Sequence, residues 1–153
     1  MKAKEYLQQV KKIDKLIENK LIEKEQWFAI ATGTTASSED GDRVQSSGSQ
    51  QKMADAVCKM VEIQEQIDKL IDNYIDIKQD VIKTIETLPA NQYDIMHKVY
   101  IQGIDLIDVA NLLDKSYESV RRSHNKGIYR VQNILKEKEQ KGGQSREKVD
   151  KVG

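Results

Sequence analysis

The chain has 153 residues, a formal net charge of zero at neutral pH, 38% hydrophobic residues and 33% charged ones. That length fits one domain, or one small module with an extension. So little apolar content excludes a thick core and favours thin helical layers, in which each helix buries a single stripe. Zero net charge also excludes a uniformly basic nucleic-acid binder, so any such surface must come from local clustering.

Clustering is present. Lys115 to Lys138 holds seven basic residues against two acids, whereas Met53 to Leu88 holds eight acids against four basic residues. This asymmetry separates an acidic central segment from a basic C-terminal one. The single proline, Pro89, is compatible with long unbroken helices. Cys58 has no partner for an internal disulfide. No apolar run approaches the roughly 18 residues that a membrane span needs, so no membrane partner is expected and the cytoplasm is the expected location.

The spacing predicts a first helix from Lys2 to about Ile30, with Tyr6, Val10, Ile13, Ile17 and Leu21 as its stripe. The Ser-, Thr- and Gly-rich segment 32–51 reads as a flexible loop. A second, longer helix is expected from about Gln50 to Glu86. Its seam is expected to run through Met53, Val57, Met60, Gln64, Ile67, Ile71, Tyr74, Lys78, Val81, Ile85 and Leu88, widened by Ile63, Leu70 and Ile77. The two helices predict a long antiparallel, coiled-coil-like hairpin over residues 1–88.

Leu88-Pro89 marks a boundary. A helix from about Asn91 to Gln102 follows, with Ile95, Val99 and Tyr100 inward and Gly103 as its stop. Next come a short helix from Leu106 to Leu113, a turn at Asp114-Lys115, and Ser116 as the N-cap of a last helix reaching about Lys138. The inner stripe of that last helix is Val120, His124, Gly127, Ile128, Val131, Ile134 and Leu135. Residues 139–153 read as a disordered tail.

The spacing of Val109-Ala110, Leu113, Ser116, Val120 and Ile128 suits a helix-turn-helix: a small crossing residue, a tight turn, a capped second helix and apolar anchors. The outward face then carries Ser116, Tyr117, Glu118, Ser119, Arg121, Arg122, Asn125, Lys126 and Arg130, groups able to reach phosphates or base edges. Arg121 and Arg122 are the leading candidates. Residues 89–138 are thus an expected DNA-binding domain, with double-stranded DNA as the partner.

Other chemistries lack their residues. His124 falls on the inner stripe with no second ligand at metal spacing, and His97 reads the same way, so no metal site is expected. Gly41 and Gly48 lack the Gly-Lys-Ser/Thr ending of a phosphate loop, and Asp40-Gly41-Asp42 lacks the alternating acids of a calcium loop. No nucleophile–base or carboxylate pair points to catalysis. The expectation is a non-enzyme without cofactors.

The stretch Leu88-Pro89, Tyr100-Ile101, Val109-Ala110-Asn111-Leu112-Leu113 and Ser116-Tyr117-Glu118-Ser119-Val120 resembles sigma-70 region 4-like helix-turn-helix proteins. The first helix, together with Asp42-Arg43-Val44-Gln45-Ser46-Ser47-Gly48-Ser49 and Lys52-Met53-Ala54-Asp55, is similar to a family of small phage and prophage proteins from Gram-positive bacteria, related to ArpU- and RinA-type late-gene regulators. The resemblance spans Ala3 to about Leu135. It departs at Leu106-Ile107-Asp108, where relatives tend to place an aromatic and acids. It implies a sigma-region-4-like DNA-binding domain and a role in phage gene regulation. RNA polymerase and a second copy of the chain are further partners that this reading admits, as are two rival functions: an adaptor docked on polymerase or a sigma factor, and a phage DNA-packaging or structural component.

Overall fold

The structure is a computed structural model that describes residues 1–33 and 47–149, with side chains described through residue 143 except at 47. Its described residues form five helices: α1 (Ala3–Ala31), α2 (Ser47–Glu86), α3 (Ala90–Tyr100), α4 (Leu106–Leu112) and α5 (Tyr117–Val149). Among the described residues every regular element is a helix, and none is long and apolar enough to cross a membrane. Two expected boundaries move. Residues 47–51 belong to α2 rather than to the loop, and α5 continues to Val149 through much of the segment read as a tail. Residues 34–46 of that loop, including Arg43, lie outside the described residues.

Close contacts group the chain into two units, one of Met1–Lys12 with Asp76–Gly153 and the other of Ile13–Ile75. The first ten residues of α1 and the last turns of α2 therefore share a unit with α3, α4 and α5. Ile95, Val109, Ala110 and Val120 form a buried cluster, with Val99, Ile104, Leu106 and Leu113 packed around it. Further buried side chains of this unit are Leu7, Val10, Val81, Ile85, Met96 and Val131. Each contributes about 1.5–3 kcal/mol relative to exposure. The sequence places them there through period: of the expected α5 stripe, Val120, His124, Gly127, Val131 and Leu135 are buried, and Ile128 and Ile134 are half-buried.

Polar bonds tie the α1 start to distant elements. The Tyr6 hydroxyl donates to Asp80 and lies 2.9 Å from the Thr84 hydroxyl. Burial and the Asp80 carboxylate push that phenol well above its ordinary pKa, so it stays a donor. The Ala3 amide donates to Gln132 Oε1 at 2.8 Å, and the amino terminus pairs with Glu139 at 3.3 Å. Lys138 donates to Thr84 at 3.2 Å.

In the second unit Ala56, Ile63 and Ile67 are buried, and Lys24 donates to Gln64 Oε1. The inward seam of α2 follows Ala56, Met60, Ile63, Ile67, Leu70 and Tyr74, all buried or half-buried. This corrects the expected seam by one helical position. Ile63 and Leu70 are central, whereas Val57 and Ile71 are 51% and 39% exposed. Leu21, expected on the α1 stripe, is also exposed, and the half-buried Lys20 and Lys24 continue the stripe instead.

Candidate nucleic-acid interface

The turn before α5 is built from backbone bonds. Asp114 adopts a left-handed φ of 51°. The Lys115 amide bonds the Ala110 carbonyl at 3.0 Å and the Asp114 amide bonds the Asn111 carbonyl at 3.3 Å. That pair is a Schellman closure, which satisfies carbonyls left open at the end of α4. Ser116 then caps α5: its Oγ accepts the Ser119 amide at 3.2 Å. Behind the turn, Val120 is fully buried beside Val109 and Ala110, which fixes the rotation of α5.

With that rotation set, every sequence-predicted site residue is exposed: Ser116, Tyr117, Glu118, Ser119, Arg121, Arg122, Asn125, Lys126 and Arg130. Helical spacing divides them. Glu118, Arg122 and Asn125 lie opposite the buried stripe. Tyr117 and Arg121 lie on the flank beside His124, and Ser119, Lys126 and Arg130 lie on the other. Arg121 pairs with Glu118 at 3.4 Å, a surface contact of little energetic weight. Among the described residues Arg122 makes no such pair. The Ser116 hydroxyl is committed to its cap, so its role is to shape the helix start.

His124 and Tyr100 lie beneath this face. Nε2 of His124 is 2.8 Å from the Tyr100 hydroxyl, and its Nδ1 is 3.4 Å from Asn125 Oδ1. Burial holds the imidazole below its ordinary pKa, with Asn125 opposing and Lys4 adding to the effect. Burial pushes the Tyr100 phenol up to about 12. The histidine is a packed, hydrogen-bonded side chain. Among the described residues no group of three or more His, Cys, Asp or Glu is placed to hold a metal.

Compared with protein-family models, with curated proteins and with solved structures, the chain has no match.

Sequence reasoning missed one component. Lys4, Gln8 and Lys11 of α1 border a cleft of about 300 Å³, together with Val99, Tyr100, Gly103, Ile104, Asp105, Leu106 and His124. A signal existed: Met1–Lys12 carries Lys2, Lys4, Lys11 and Lys12 against Glu5 alone. What could not be read locally was that this turn of α1 joins the C-terminal helices.

Proposed function

We propose that the chain is a DNA-binding transcription regulator of phage or prophage type. In this reading α3, α4 and α5 form a sigma-region-4-like helix-turn-helix, and α5 enters the major groove. Helices α1 and α2 form the antiparallel hairpin. Tyr6 with Thr84 in one unit and Lys24 with Gln64 in the other each pair α1 with α2 in the order such a hairpin requires. The observation that carries the reading is the capped start of α5 behind a Schellman turn, with its polar and basic residues exposed. Arg122 reads a base edge, and Arg121, Lys126 and Arg130 hold phosphates along the flanks.

Selection from random duplex DNA tests this. The expected outcome is an enriched motif bound with steep salt dependence. Salt-sensitive binding with no enrichment would support the packaging or structural role instead. The adaptor reading has its own support: Ile107 and Leu112 of α4 are each 63% exposed, an apolar surface suited to a protein partner. An adaptor would retain polymerase or a sigma factor and bind no DNA.

A further inference from the structure

The α1 cleft has the character of a phosphate site. Lys4, Gln8 and Lys11 recur at intervals of four and three, so they share one stripe of α1 facing the cleft. Further along α1, Lys15 pairs with Glu18 at 2.9 Å and Lys20 with Glu23 at 3.1 Å. The Lys4 and Lys11 side chains make no hydrogen bond or ion pair among the described residues. Lys4 is also close enough to His124 to oppose its protonation. The one carboxylate on the lining is Asp105, so the two ammonium groups leave the cleft positive. Its polar floor is the bonded Tyr100–His124 pair, and the lining His124 bonds Asn125, which lies on the outer face of α5 beside Arg121.

We propose that this cleft holds backbone phosphate of the bound DNA, with Lys4 and Lys11 as its cationic ligands. The inference rests on the DNA-binding reading and deepens it: α1 becomes part of the binding surface. Phosphate contacts position a protein without reading sequence, and each neutralised phosphate contributes about 0.9 to the slope of log K against log salt.

The test compares the full chain with Lys4→Gln/Lys11→Gln on a selected duplex across a salt series. The variant should bind about tenfold more weakly at low salt, with the slope reduced by about 1–2. Its selected motif should be unchanged. Lys4→Arg/Lys11→Arg should restore the slope, which separates charge from a folding defect. Lys20→Gln/Lys59→Gln removes equal charge from ion-paired positions and should leave the slope as it is. If Lys4→Gln/Lys11→Gln keeps the parental affinity and slope while Arg122→Ala loses affinity, the cleft site is overturned and the DNA-binding reading stands. A chain that binds no duplex overturns both.

Discussion

The hydroxyl of Tyr100 on α3 lies 2.8 Å from Nε2 of His124 on α5, and both side chains are buried. A neutral imidazole protonated at Nδ1 satisfies both contacts: Tyr100 donates to Nε2, and Nδ1–H faces Asn125 Oδ1. Burial disfavours the charged form in the fold, so the unfolded chain takes up the proton first. Stability is therefore full above the unfolded value of about 6.5 and falls as pH drops from there toward the lower folded value. Thermal melts at pH 7.5 and 5.5 should show this loss in the parent and a smaller one in His124→Gln. Equal losses in both would mean that His124 does not carry the effect.

Gly127 brings α5 against α3. A Cβ at Gly127 would lie 3.0 Å from Met96 Sδ and 3.1 Å from its Cγ, and Met96 is fully buried. Gly127→Val should cost about 1–3 kcal/mol by overpacking. Met96→Ala should cost about 2–5 kcal/mol by leaving a cavity. Combined, the two should cost clearly less than their sum, because the added methyls occupy vacated space. Additive denaturation free energies would contradict the contact.

Val120 anchors α5 in the cluster with Ile95, Val109 and Ala110. Val120→Asp buries an unpaired charge there and should unfold the unit. That unit includes Met1–Lys12 and the end of α2. Hydrogen exchange should consequently lose protection at Leu7 to Val10 and at Val81 to Leu88, as well as in α3–α5. Parental protection at those segments would show that they fold independently of α5.

These contacts mark where the sequence was legible. The Ser116 cap, the Asp114 turn and the α5 stripe are local, so spacing and residue type reveal them. The α2 seam is ambiguous because Met60, Ile67 and Tyr74 belong equally to a seam through Val57, Gln64 and Ile71 and to one through Ala56, Ile63 and Leu70. Only tertiary packing selects the second. The Tyr6–Thr84 and Ala3–Gln132 bonds join residues far apart in sequence, and no local pattern encodes them. The exposure of the nine candidate residues was legible because they are what remains once the buried stripe of α5 is assigned.

The second unit leaves Val57, Val61, Ile71 and Ile75 of α2 exposed at helical spacing. Such a stripe suits self-association through α2, which would also supply two recognition helices for a palindromic site. Light scattering should give twice the 17.5 kDa chain mass, and Val61→Glu/Ile71→Glu should return it to the monomer value without loss of helicity. A parental chain that stays monomeric at high micromolar concentration, with and without DNA, would contradict this.

If the outer face of α5 reads DNA as proposed, Arg122, unpaired among the described residues, carries the base contact. Fluorescence anisotropy on a selected duplex and on one with its motif scrambled measures affinity and preference together. Arg122→Ala should lose about 1–3 kcal/mol on the selected duplex and much less on the scrambled one, with circular dichroism unchanged. Parental affinity and preference in Arg122→Ala, and in Arg121→Ala beside it, would contradict the assignment of α5 as the reading helix.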